Sequence, residues 1–159
     1  MNQQKLSSWL KAIIIIIGLC GLIVYFGILP DCGSWMQDSY PEFASWHWPW
    51  MIFLWITAIP CYAILVLAWK IAVNIGENRS FSSSNAALLQ GIAWLVAGDI
   101  LFFFLGNVVF FFLSMNHPGI FLISLLICFV GFSVTVAAAC LSHLVRKAAD
   151  LQEQSDLTV

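Results

Sequence analysis

The amino-acid sequence predicts an all-α membrane protein: four transmembrane helices in an up-down-up-down bundle, with both termini in the cytoplasm. Three observations predict it. Hydrophobic residues make up 62% of the 159 residues and charged residues only 9%, with a mean hydropathy of +0.94, whereas a soluble domain carries roughly 25% charged residues. The apolar residues fall into four runs, at 12–29, 51–73, 87–113 and 119–141, each close to or above the roughly 20 residues that take a helix across a hydrocarbon core. Finally, Lys5, Lys11, Lys70, Arg79, Arg146 and Lys147 all fall on one side of such a bundle. By the positive-inside rule that side is cytoplasmic. The whole chain, 1–159, reads as one integral membrane domain, with an outer loop at 30–50, a cytoplasmic loop at 74–86 and a cytoplasmic tail at 142–159.

The first run opens behind a short polar start and contains five consecutive isoleucines. It resembles a signal peptide in composition, but Pro30-Asp31-Cys32 offers no small-x-small cleavage site, so an uncleaved span is expected. The outer connection holds Asp31, Asp38 and Glu42 with no basic residue, and its second half is crowded with indoles. Trp46, Trp48 and Trp50 suit the headgroup layer, where a flat apolar ring carrying one N–H donor is most at ease. They form either an anchor or an interfacial platform for a lipid or apolar ligand.

The second run carries Pro60 near its centre, which frees the carbonyl of Ile56 and predicts a kink. Lys70 lies near its end, placed to reach the interface along its own stem. A turn-rich stretch follows, in which Ser82 is a candidate N-cap for the third span, Asn85 an imperfect capping-box partner and Phe81 a weak staple onto Ala86. The third run holds Asp99 near its middle and Asn107 further out. The fourth holds Gly131, Ser133, Thr135 and three alanines, small residues that let backbones approach. Beyond it Leu144, Ala148 and Leu151 recur at helical spacing, so the helix is expected to continue into water as an amphipathic stalk.

Aligning the span midpoints on one plane brings Gly18, Cys20 and Gly21, Pro60 and Cys61, Asp99, and Gly131 and Ser133 to one depth. A charged carboxylate there costs about 2.5–3.5 kcal/mol on insertion scales. Asp99 is therefore expected to face the bundle interior, protonated or hydrogen-bonded, with the Ile56 carbonyl or Ser133 as partner. Asp99, Asn107 and Ser133 are the candidate binding residues, against the plainer reading that Asp99 glues helices together.

The five cysteines, at 20, 32, 61, 128 and 140, show no Cys-x-x-Cys spacing, which argues against a disulfide scaffold, a structural zinc site or thiol relay chemistry. His47 and His117 can meet on the outer face near Asp31, Asp38 and Glu42, and imidazole with carboxylate is acceptable zinc or copper ligation. The spacing has no motif quality, however, and no metal or cofactor is assigned. No nucleophile cluster, phosphate loop or helical zinc motif is present, so an enzyme is not expected. No basic stripe is present for direct nucleic-acid binding.

Several stretches together resemble a known bacterial family: Phe81-Ser82-x-x-Asn85-Ala86 leading into a span, Gly98-Asp99 within it, His117-Pro118-Gly119 before the last span, and Glu153-x-x-Asp156-Leu157-Thr158-Val159 at the end. The set is similar to the four-span membrane family known as domain of unknown function 2975. That resemblance implies a bacterial inner (plasma) membrane and a neighbouring gene for a small helix-turn-helix regulator, and it supplies no reaction. The expected function is accordingly a regulatory or interaction role, with partners drawn from the lipid bilayer, a second copy, or a cytoplasmic protein such as that regulator, docking on Leu144, Ala148 and Leu151. The alternative is a small-molecule, ion or proton binding or transport protein built around Asp99. Leu157-Thr158-Val159 also has the character of a terminal strand for a groove that reads hydrophobic C-termini.

Overall fold

The structure, a computed structural model, describes residues 2–156; the terminal Leu157-Thr158-Val159 segment lies outside the described residues. Among those residues the chain is helical, without strands. Its elements are α1 (Gln3–Ile23), a π-helical segment (Val24–Ile28), α2 (Leu29–Ser39), a 3-10 segment (Pro41–Trp46), α3 (His47–Gly76), α4 (Ser83–Phe112) and α5 (Pro118–Asp156). Four helical bodies are long and apolar enough to cross a membrane: Gln3–Ser39, Ala44–Gly76, Ser83–Phe112 and Pro118–Ser155.

The first body departs from the expectation of a polar loop at 30–50. Helix runs on through Pro30 to Ser39, and after Tyr40 the chain is helical again into α3. A proline in a regular helix clashes with the carbonyl four residues back, here Phe26. The backbone widens into the π-helical turn at this point, which shifts the hydrogen-bond ladder and lets the helix pass the proline. Asp31 then sits in the first turn of α2 and is exposed.

Each long helix packs on the next in chain order, α1 on α3, α3 on α4 and α4 on α5; among the described residues the backbone of α1 closely approaches neither α4 nor α5, and that of α3 does not closely approach α5. The spans thus stand in a row. Different chemistry joins each pair. Ser7 Oγ donates to Ala72 O at 2.6 Å and Tyr62 Oη to Gly18 O at 2.9 Å across α1 and α3. Between α3 and α4 the contact is aromatic, with Phe53 surrounded by Trp50, Phe102, Phe103 and Phe110. Small residues serve between α4 and α5: Gly131 lies against Ile100, and Ser142 Oγ donates to Ala86 O at 2.7 Å. Large side chains such as Phe26, Trp94 and Phe129 point outward, each more than 60% exposed, the pattern of a surface solvated by lipid rather than water.

Both α3 and α4 end in the same way. Asn78 and Ser114 adopt left-handed backbone, with φ of 59° and 57°. Arg79 N then bonds Asn74 O at 2.9 Å and Met115 N bonds Phe110 O at 2.8 Å, the six-to-one bond of a Schellman cap. Ser82 caps α4 as expected, accepting from Asn85 N at 3.2 Å.

Candidate functional site

The π-helical turn turns Tyr25 towards α3, and a string of polar groups follows across three helices. Tyr25 Oη lies 3.2 Å from Thr57 Oγ1 and 3.8 Å from Cys61 Sγ. The Thr57 hydroxyl donates to Leu54 O at 2.7 Å, so Tyr25 is the donor between the two hydroxyls. Cys61 Sγ in turn donates to Asp99 Oδ2 at 3.7 Å, while Asp99 Oδ1 is buried with no hydrogen-bond partner. Trp55 Nε1 fixes the turn itself by donating to Tyr25 O at 3.1 Å, a carbonyl that the π-helical register would pair with residue 30, a proline without an N–H.

Asp99 therefore faces the α3 side of its helix, as a costly mid-membrane acid should, but its partner is Cys61. Ser133 is not at this site: it is exposed and donates to Phe129 O of its own helix at 2.9 Å. The open row explains the difference, because the face of α5 carrying Ser133 has no helix opposite it. Tyr25 was the missed member, although it is the one hydroxyl-bearing residue in the run 12–29.

Asn107 belongs to a second cluster. It is 1% exposed, its Nδ2 donates to Phe103 O at 2.9 Å, and its Oδ1 accepts from Asn116 Nδ2 at 3.1 Å and from Ser124 Oγ at 2.7 Å. This ties the α4–α5 turn to both of its helices. A matching knot closes the α3–α4 turn. Asn85, 2% exposed, accepts from Asn74 Nδ2 at 2.7 Å and donates to Arg79 O and Ser80 O at 3.1 and 3.0 Å.

The three tryptophans part company. Trp48 is 64% exposed, Trp50 is locked by its Nε1 bond to Met115 O at 3.0 Å, and Trp46 lines a cavity of about 190 Å³ between α2, α3 and the start of α5. Both His47 and His117 line this cavity, whereas Asp31, Asp38 and Glu42 do not. Among the described residues no three His, Cys, Asp or Glu side chains come together as a metal set. On α5, Ser142 and Val145 are buried, while Leu144 and Leu151 are exposed and Ala148 is half-buried between them. The stripe thus lies beside the face that α5 turns to its own chain.

Four apolar helices joined through buried polar contacts, with lipid-facing side chains outside, define a polytopic helical membrane protein. The chain belongs to the family described as "Protein of unknown function (DUF2975)", which it matches over residues 32–159. It is also 30% identical, over the full length of both chains, to the uncharacterized membrane protein YoaS of Bacillus subtilis (strain 168). No solved structure matches it.

Proposed function

We propose that this chain is a non-enzymatic regulatory or interaction protein of the bacterial plasma membrane, presenting the end of α5 to a cytoplasmic partner. The supporting observation is the length of α5. Its 39 residues extend roughly 58 Å at 1.5 Å per residue, about twice the hydrocarbon thickness. Leu144 and Leu151 remain uncovered on the far part of that helix, flanked by Arg146, Lys147, Asp150 and Glu153. Such a stripe suits a second helix, from another copy or from a soluble helix-turn-helix regulator.

In this reading the spans alternate up and down and both termini lie inside. Support comes from contacts whose partner numbers fall as the first number rises: Ser7 with Ala72 and Tyr25 with Thr57, and Ala86 with Ser142 and Asn107 with Ser124. The one-sided distribution of lysine and arginine supports it as well.

The test is recovery from native membranes in mild detergent, comparing the full chain, a chain ending at Leu144, and the double substitution Leu144→Ser, Leu151→Ser. Loss of a stoichiometric partner from both variants, with all four spans still inserted, is the expected result. An unchanged yield of the same partner from the shortened chain would defeat the proposal and move attention to the Trp48 end. The unpartnered Asp99 Oδ1 at the end of the Tyr25, Cys61 string favours a second reading, binding of a proton or small ligand at mid-depth. A bound small molecule that copurifies with the native protein and is lost on Asp99→Asn distinguishes the two.

A further inference from the structure

We infer that the cavity between α2, α3 and the start of α5 is a binding site for a neutral ligand built on one aromatic ring that carries a carbonyl-type hydrogen-bond acceptor. Among the described residues the backbones of α2 and α5 do not closely approach each other, and a space of about 190 Å³ lies between them. An apolar protein cavity of about 150 Å³ stays dry and takes up benzene, so this one has room for a single ring with a small substituent. Water suits it poorly, since a buried water needs polar partners and Leu29, Leu54 and Ile120 offer none. Among the described residues no lysine, arginine, aspartate or glutamate lines it, and a charged ligand would lose its hydration there without a counter-charge.

The wall favours a ring over a lipid chain. Trp46 and Trp50 bring two indoles to it, and His47 and His117 two imidazoles; flat rings attract a further ring beyond what area burial alone gives. Met36, Met51 and Met115 add three thioethers, whose sulfur makes favourable contacts with aromatic rings and whose unbranched stems adapt to a ligand's outline. An acyl chain gains burial from these groups and nothing more. Gly33 helps to keep the space: a Cβ there would lie 2.8 Å from His47 Cε1 and 3.3 Å from Met51 Cε, so the glycine lets that imidazole and thioether lie against α2.

The acceptor on the ligand answers His117, which lines the cavity and is exposed. Its Nδ1 accepts from Gly119 N at 3.1 Å, so the neutral imidazole carries its hydrogen on Nε2, the one donor this side chain has left for a ligand. A carbonyl oxygen meets that donor while the ring lies among the apolar groups, the division between orienting and burying contacts that small-molecule sites use.

The test uses the full chain in lipid nanodiscs and measures acetophenone binding by equilibrium dialysis, with empty nanodiscs subtracted to remove partition into the bilayer. Cumene, which has the same outline without the oxygen, and n-nonane, an unbranched chain of similar size, are the comparison probes. Saturable binding of one acetophenone per chain, with n-nonane at the lipid background, is the expected result. His117→Leu should weaken acetophenone by about three- to tenfold, the reach of one neutral hydrogen bond, and leave cumene unchanged. The pair Leu54→Trp, Ile120→Trp fills the space and should abolish binding of both ring probes. Circular dichroism reports whether that filled variant keeps its helices, and the His117→Leu comparison stands without it. No saturable acetophenone on the parent, n-nonane bound as well as the ring probes, equal losses of acetophenone and cumene on His117→Leu, or unchanged binding by a folded filled variant would each overturn the proposal.

Discussion

Gly106 of α4 lies so close to the Phe53 ring of α3 that a Cβ at 106 would collide with Cε2 and Cζ of that ring. Phe53 is 7% exposed and has ring centroids of four other aromatics between 5.1 and 5.8 Å away, so it has nowhere to retreat. Gly106→Ala is expected to destabilise the α3–α4 pair by about 1–3 kcal/mol, the usual cost of overpacking. Gly131 faces the aliphatic end of Ile100, with Cδ1 at 2.5 Å from its ideal Cβ, and that side chain can rotate aside. Gly131→Ala should therefore cost less. Reversible unfolding of both variants in mixed micelles measures the difference, and equal losses would show that the aromatic cluster yields more readily than its packing implies.

Asp99 has one oxygen held by Cys61 and one without a partner. Asp99→Asn keeps the shape and removes any charge, and should insert and fold close to the parent. Asp99→Lys places an obligate donor with a longer stem among Cys61 and Tyr25, and should lower the folded yield in membranes severalfold, in line with the roughly 3 kcal/mol insertion cost of a central lysine. Membrane yield and gel-filtration profile read both. Failure to recover the Asn variant would mean that the bundle requires the negative charge.

The two Schellman caps offer a stabilising change. Asn78 and Ser114 share the left-handed conformation, yet asparagine tolerates it and serine does not, since a Cβ in that region costs roughly 1–2 kcal/mol that a local side-chain hydrogen bond offsets. Ser114→Gly should raise stability by up to about 1 kcal/mol, and Asn78→Gly by less. A lower thermal midpoint for Ser114→Gly would show that serine contributes a contact worth more than the strain.

Much of this architecture was legible because apolar run length reports a membrane helix directly. Residues 30–50 misled, since Pro30 and three acids read as loop, and the π-helical turn that carries helix past the proline has no signature in composition. Ser133 misled for another reason. Midpoint alignment gives depth but not the side of a helix, and depth alone cannot say that α5 turns Ser133 away from α3. Asn85 is the reverse case: a poor capping-box residue by local rules, it is the centre of a buried network because Asn74, from the preceding helix, meets it in space.

That network makes a measurable claim. Asn85→Ala removes two donated bonds and one accepted bond at a buried position, leaving the Arg79 and Ser80 carbonyls and Asn74 unsatisfied. At about 1 kcal/mol per bond the loss should exceed roughly 2 kcal/mol. Asn74→Ala removes only the accepted one of the three and should cost about a third as much. Chemical unfolding of the two variants ranks them, and a larger loss for Asn74→Ala would mean that the knot is organised from α3 rather than from α4.

The proposed topology, with both termini inside, is open to a direct test through Cys32, which is exposed and lies near the Ser39 end of the first helical body, Gln3–Ser39. Cys20 and Cys140 are exposed as well, but within apolar stretches where a charged maleimide has no water to approach through. In intact cells a membrane-impermeant maleimide should modify Cys32 alone. A chain with Cys32→Ser and Ser155→Cys should stay unmodified until the cells are opened, because in the proposed topology Ser155 lies inside, on the side assigned to the six basic residues. Modification at 155 in intact cells would invert the orientation, and with it the compartment from which a partner reaches Leu144 and Leu151.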